Sequence, residues 1–370
     1  MGDKDLMLRR TDTVRMPGRR RFLTVAALAG LGLGATAVAP VRAATTVNLL
    51  ETGSSLLYPL FNLWVPAYTK ANPHVRITTQ STGSGTGISQ AISGVAQIGS
   101  SDAYLSDTLM KMHKGMLNIP LAISSQMVNY NLPGLNEHHL KLSGPVLADI
   151  YAGKITKWND PAIEKLNPGV KLPDHAIITV HRTDGSGDTF IFSQFLTFSA
   201  PSWKEVGYGT TVSWPAAPGA IGAVGNPGMV NAIKGNPYSI AYIGVSFKNA
   251  IDEGKLGEAM LENRAGKFVL PTVENVQAAA NAKVAETPKD ERISLIFAPG
   301  NDSYPIINYE YAIVKSQQPT ATVAKEMRKF FTWAISPKGG NAPHFMKAVS
   351  FVPLPESVVK LSAAQIAEIK

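Results

Sequence analysis

Arg182 ends a short β-branched run and is followed by Thr183-Asp184-Gly185-Ser186-Gly187-Asp188-Thr189. A guanidinium there offers a planar fork of donors suited to phosphate or carboxylate. Gly185 and Gly187 let the backbone turn sharply and approach a ligand. Ser186 or Asp188 caps the helix that follows. The free N–H groups of its first turn, with the helix dipole, make an anion site. Residues 181–189 fit equally well a plain N-cap loop whose Arg forms a surface ion pair.

Gly53-Ser54-Ser55 and Thr82-Gly83-Ser84-Gly85-Thr86-Gly87 are two more Gly/Ser stretches of this kind. Three such loops with one Arg favour a small anion as ligand. Other chemistry is missing from the sequence. It has no Gly-x-x-x-x-Gly-Lys-Ser/Thr loop, no Gly-x-Ser-x-Gly elbow and no His-Glu-x-x-His. His138 and His139 are adjacent; on a helix they would point about 100° apart, so they are poor co-ligands and read as a solvated loop. His181 reads as a structural strand-end residue, because no nucleophile is paired with it. Trp158, Trp203 and Trp214 are scattered and read as core or loop anchors. There are no cysteines, which excludes disulfides, thiol nucleophiles and thiolate metal sites. No cofactor and no metal are expected.

The elements that position these residues are legible as strand, loop, helix. Ala176–Val180 is apolar and β-branched, a buried strand, and Phe190–Leu196 reads as a largely buried helix. Thr45–Leu50 reads as a first strand, and Leu57, Leu60, Phe61, Trp64, Val65 and Tyr68 fall at helical spacing after it. Val75–Thr79 alternates like a strand, Ile88–Val95 is helical, and Ile98–Asp102 is a short strand ending in Ser-Ser-Asp. The pattern predicts an α/β chain with ligands at the carboxyl ends of strands. Leu121–Asn131 and Pro305–Val314 read as long strands. Pro145–Lys154 reads as a short helix and Val323–Ile335 as an amphipathic one. Ser239–Ile243 is a strand. Ser213–Tyr238 is expected to be mostly loop with a short helix near Met229–Ile233. Lys255–Lys289 is expected to be helical in part and peripheral.

With 370 residues, 45% apolar and 17% charged, the chain is long enough for two domains and a sizeable core. Residues 1–43 read as a signal peptide. Arg19-Arg20-Arg21-Phe22-Leu23 opens an apolar run, and Val41-Arg42-Ala43 offers a cleavage site. The arginines give it a twin-arginine look. The full chain is formally +8; residues 44–370 hold 27 basic and 24 acidic groups, a net +3. The basicity is mostly export signal, and nucleic-acid binding gains no support from it. Without a cysteine to carry lipid, a soluble periplasmic protein is expected.

The motifs together resemble the periplasmic phosphate-binding proteins (the PstS family), the solute receptors of phosphate ABC importers. The resemblance rests on Gly53-Ser54-Ser55-Leu56-Leu57-Tyr58-Pro59, Thr82–Gly87, Gly99-Ser100-Ser101-Asp102-Ala103-Tyr104, Asp149–Trp158, Leu166-Asn167-Pro168-Gly169 and Arg182–Phe190. Tyr304-Pro305-Ile306-Ile307 and Phe330–Ala334 extend it toward the end. The wording of Leu57–Trp64 and Tyr304–Tyr311 is closest to the mycobacterial branch.

The resemblance implies an α/β periplasmic binding protein fold of type II. Residues 44–122 plus 306–370 would form domain I and 123–305 domain II, joined by two crossover strands with a ligand cleft between. It implies phosphate contacts from Ser55, the Leu56 N–H, Ser84, Asp102, Arg182, Ser186 and Gly187, with Asp184 orienting the arginine. Asp188 stands where many members carry Thr and would add a second acceptor. A buried carboxylate only accepts hydrogen bonds, so Asp102 asks for a ligand with a proton to give, as phosphate has and sulfate lacks. The implied protein is a non-enzymatic monomer whose partners are inorganic phosphate and inner-membrane permease subunits. The alternatives are a receptor for another oxyanion or a phosphomonoester hydrolase.

Overall fold

The computed structural model describes residues 46–370. The expected signal peptide, residues 1–43, lies outside them. Strands β1 (Val47–Gly53), β2 (Val75–Ser81) and β3 (Ile98–Ser101) alternate with helices α1 (Tyr58–Ala71), α2 (Ser84–Ser93) and α3 (Asp107–Met112). Then come β4 (Met116–Asn131), β5 (Lys141–Leu142), α4 (Gly144–Tyr151), α5 (Pro161–Leu166), β6 (Ile178–Arg182) and α6 (Gly187–Ser199). β7 (Ile221–Ala223), α7 (Gly225–Gly235), β8 (Ser239–Gly244) and α8 (Lys248–Glu253) follow. Three short strands, β9 (Gly257–Glu258), β10 (Met260–Glu262) and β11 (Phe268–Val269), precede α9 (Val273–Lys283). β12 (Ile307–Lys315) leads to α10 (Ala321–Ala334), α11 (Pro343–Ala348) and α12 (Glu356–Ala367).

Helix starts are written in side chains. Ser106, Ser143, Asp160, Ser186, Thr272 and Thr320 each accept a backbone N–H at an N-cap, and each such cap stabilises its helix by about 1 kcal/mol.

Nine strands form one mixed sheet in the order β2-β1-β3-β12-β4-β8-β6-β7, with β9 also on β4. β1 runs parallel to β2 and β3, and β6 runs parallel to β7 and β8. Between these two parallel groups lie antiparallel β12 and β4. β4 carries both halves: Met116–Ser125 pairs with β12 and Gln126–Asn131 pairs with β8. All of β4 but its last residue is buried, including the polar Asn118, Ser124, Ser125, Gln126 and Asn129. On one side Phe61, Trp64 and Tyr68 pack on Phe330, with ring centroids 5.1–6.4 Å apart. On the other, Tyr242 stacks on Phe192 at 4.5 Å and on Trp214 at 5.8 Å. Trp158 and Trp203 are buried. The three scattered tryptophans are thus packing residues.

Three expectations change. β4 begins at Met116, five residues before the expected start, and passes through Pro120 where the β4–β12 register shifts between Glu310 and Tyr311. A bulge is where a strand tolerates a residue with no N–H to give. The stretch 213–238 contains an eleven-residue helix from Gly225, whose Gly and Pro belong to its first turn and do not break it. The stretch 255–289 is less peripheral than expected, since β9 pairs with β4 and Leu261, Val276 and Ala279 are buried.

The loops after β1, β2 and β6 sit at carboxyl ends of parallel strands, as expected. α2 reaches β1 and β3 because Gly87 has no side chain: a Cβ there would lie 2.6 Å from the Ser100 carbonyl oxygen and 2.7 Å from that of Thr52. Gly87→Ala is therefore expected to lower stability by about 2 kcal/mol or more, since rigid backbone must move. Gly235→Ala, with nothing near it, should be neutral or slightly stabilising. Urea midpoints of the two variants check this.

Candidate functional site

β6 ends at Arg182, whose side chain is 1% exposed. Its Nε donates to Asp184 Oδ1 at 2.6 Å, and Nη2 donates to Asp184 Oδ2. The Gly225 N–H, at the start of α7, donates to the same Oδ1 at 3.2 Å. This fork fixes the guanidinium plane and leaves Nη1 facing inward, where it meets Asp188 Oδ2 at 2.8 Å and Ser55 Oγ at 3.3 Å. Burial works against the charge of Arg182, but the hydrogen bonds and charges of Asp184 and Asp188 outweigh it and hold the group protonated. Burial also opposes ionisation of Asp184, yet Arg182 keeps it below the usual carboxylate range.

Ser186 caps α6, its Oγ accepting the Thr189 N–H at 3.1 Å. Asp188, one residue into the helix, is not the cap. Its carboxylate turns inward: Oδ2 receives Arg182 and, at 2.8 Å, Asn226 Nδ2, while Oδ1 receives Gln126 Nε2 at 3.2 Å. Gly187 lies against Asp102, where a Cβ would fall 2.3 Å from Oδ2.

Asp102 follows β3 and is 2% exposed. Its Oδ1 accepts the Ser54 hydroxyl, and Oδ2 accepts Ser84 Oγ at 3.3 Å. Ser84 is the first residue of α2, and its oxygen also receives the Asp102 N–H at 3.2 Å. Ser55 Oγ accepts Asn226 N at 3.1 Å and Asn226 Nδ2 at 3.0 Å. Leu56 is buried under Gly244, and its carbonyl accepts the Ser246 hydroxyl at 2.8 Å. Two of the Gly/Ser loops touch directly, Gly85 N–H donating to the Gly185 carbonyl at 2.8 Å.

Ser55, Ser84, Asp102, Arg182, Gly187 and Asp188 meet in one buried cluster with Asp184 at its edge, while Leu56 and Ser186 flank it, bonded to Ser246 and to the α6 backbone. His138 and His139 are exposed. His181 is half-buried with its ring 5.3 Å from Trp214, and burial lowers its pKa; it does not face Arg182.

Sequence reasoning missed four members. Ser54 was quoted only as motif, although it is the hydroxyl that reaches Asp102. Asn226 was hidden in a stretch read as loop; Gly225 before Asn226-Pro227 is the signal of a helix start. Gln126 and Glu310 are polar residues inside long strands that read as buried, and that conflict was the available clue.

The cluster holds one guanidinium and the carboxyl groups of Asp102, Asp184, Asp188 and Glu310. Burial pushes Asp188 up to about 7, and repulsion from Asp102 adds to it, against the pull of Arg182. Burial likewise raises Asp102. Chemically the site offers a fixed cation, hydroxyl donors and two carboxyl acceptors, so it suits an oxyanion that brings a proton.

A PBP superfamily domain model matches residues 39–338. A phosphate-binding protein PstS of Pasteurella multocida is 38% identical, covering 86% of this chain and 89% of that one. One of Methanocaldococcus jannaschii is 35% identical over 88% and 87%. The PstS2 protein of Mycobacterium bovis is 30% identical over 86% of each chain. The crystal structure of a phosphate-binding protein from Stenotrophomonas maltophilia superposes with a TM-score of 0.68 at 20% identity, over 86% of this chain and 93% of that one. The expected fold class, an α/β periplasmic binding protein fold, is borne out.

Asp188 fixes a sign for pH. Its folded pKa, about 7, lies above the ordinary 3.8. The stability it contributes is present below about 3.8 and lost as pH rises through about 7. In ligand-free protein, Asp188→Asn should therefore match the parent near pH 4. By pH 8 it should be the more stable, by at most about 4 kcal/mol. Thermal melts of both proteins across that range check the crossover; the opposite ordering at pH 8 would contradict the raised pKa.

Proposed function

Because the chain belongs to the phosphate-binding proteins of the PBP superfamily, we propose that it captures inorganic phosphate and delivers it to the inner-membrane permease subunits of an ABC importer. The observation that carries this reading is Arg182, locked by Asp184 and surrounded by the acceptors Asp102 and Asp188. Phosphate is held by Arg182, by the hydroxyls of Ser55, Ser84 and Ser186, and by the N–H groups of Leu56 and Gly187. Asp102 and Asp188 accept protons that phosphate still carries near neutral pH.

A site built around a substrate hydroxyl rejects an analogue lacking it by about 10⁴–10⁵. Sulfate would meet two acceptors with nothing to donate. The protein is a receptor and not an enzyme: the site serines donate to or accept from carboxylates, amides and Arg182, and among the described residues no imidazole is bonded to them.

Domain I comprises residues 44–122 and 306–370 and domain II residues 123–305. β4 makes one crossing, and the run into β12 makes the other. The direct bond from Gly85 to Gly185 supports closure across the cleft. Export through the residue 1–43 signal, of twin-arginine type, leaves a soluble monomer in the periplasm.

Calorimetric titration with phosphate, arsenate and sulfate tests the reading. Phosphate should bind tightly and sulfate should not compete. Arg182→Ala should weaken phosphate binding by at least about 2 kcal/mol, because a buried charge pair is broken. Asp102→Asn, which supplies donors, should narrow the gap to sulfate. Turnover of a phosphomonoester with Mg²⁺ or Zn²⁺ would favour a hydrolase, and tight sulfate binding by the parent would favour another oxyanion.

A further inference from the structure

Beneath Asp102 lies a second buried carboxyl group, Glu310 of β12, which is fully shielded from solvent. It stands at the register shift between β12 and β4; such a bulge re-aims side chains. Glu310 Oε1 is well served. Asn308 Nδ2 donates to it at 3.1 Å, and Ser124 Oγ lies 2.5 Å away, its one proton shared between Glu310 Oε1 and Asn308 Oδ1 at 2.8 Å. The same Asn308 amide reaches the Asp102 carbonyl at 3.3 Å, tying the two acidic residues together. Glu310 Oε2 is buried and receives no donor among the described residues. The Asp102 carboxyl group lies within hydrogen-bonding reach of the Glu310 carboxyl.

Two carboxylates cannot share a hydrogen bond without a proton, and a buried ionised pair is strongly disfavoured. The proton has an evident owner. Asp102 is served by the Ser54 and Ser84 hydroxyls and feels the charge of Arg182. Among the described residues Glu310 Oε2 has no cation and no donor, and burial and the Asp102 charge push its pKa well above the usual range. Arg182 is already engaged by Asp184 and Asp188.

We propose that Glu310 is a positioning residue for anion selectivity: its carboxylic O–H donates to Asp102 and keeps Asp102 an ionised acceptor. The idea rests on the receptor reading and deepens it. Without that donor, Asp102 would be buried with less support and would take up a proton itself. A protonated Asp102 donates, and a donor there welcomes an anion that carries no proton. Selectivity for a protonated oxyanion therefore depends on a residue that need not touch the ligand.

Two substitutions separate this role from mere packing. Glu310→Gln replaces the O–H by an amide N–H of the same shape. Glu310→Leu removes the donor. Phosphate and sulfate titrations at pH 7 should give a Gln variant whose affinity ratio stays within about threefold of the parent, and a Leu variant whose ratio falls at least about tenfold. Infrared difference spectra of the full-length parent against Glu310→Gln should reveal a protonated-carboxyl band that the variant lacks. A parent with no such band, a Leu variant with undiminished selectivity, or a Gln variant as unselective as Leu would each overturn the proposal. If Glu310→Leu does not fold, the infrared band and the Gln variant still decide it. Failure of the parent to bind phosphate would sink the receptor reading, and the band would then judge the Glu310 proton separately.

Discussion

One buried guanidinium shares its surroundings with more carboxyl groups than it can neutralise. Arg182 faces Asp184 and Asp188 directly and acts on Asp102 through space. Moving charges out of water is costly unless each is paired or hydrogen-bonded. The cluster meets that demand in two ways. Hydroxyls and amides from Ser54, Ser84, Gln126 and Asn226 serve the oxygens. Protons neutralise the remainder, as the raised pKa values of Asp188 and Glu310 indicate. An anion site of this kind is selective by proton count as much as by charge.

The rest of the architecture follows from where these groups must sit. Asp102 comes from the end of β3, Ser55 from the turn after β1, Ser84 from the start of α2, and Arg182 from the end of β6. Only a sheet whose parallel strands end together brings them within hydrogen-bonding distance. β4 supplies the continuity, pairing with β12 on one stretch and β8 on the next. At the change of partner it presents Gln126, which reaches Asp188. Glycine makes the final approach possible. Any side chain at Gly187 would strike Asp102, and any at Gly85 would strike Gly185.

Much of this was readable beforehand, and the failures have physical causes. Arg182 between a β-branched run and a Gly/Ser loop is a local signal, as is Asp102 after two serines, so both were found. For Asp188, local sequence leaves cap and acceptor equally open. The choice is made by Ser186, which takes the cap, and by Arg182, Asn226 and Gln126, which claim the carboxylate. Asn226 was missed because Gly225, Pro227 and Gly228 were read as loop residues, although they fill the first turn of α7. Gln126 and Glu310 were illegible because the partner of a polar residue in a buried strand is set by cross-strand register. Here the β4–β12 shift occurs at Pro120 and Tyr311, which no short window of sequence reveals.

The central claim is that the ligand must bring protons into a shell of carboxyl acceptors. The most direct measurement is the number of protons exchanged on binding phosphate at pH 8, from calorimetry in buffers of different ionisation enthalpy. Free phosphate is then mostly dianion, and Asp188, with its pKa near 7, is mostly ionised. If Asp102 and Asp188 both accept from the bound ligand, binding should take up about one proton per phosphate from solvent. Binding with no proton exchange, or with net release, would contradict the account.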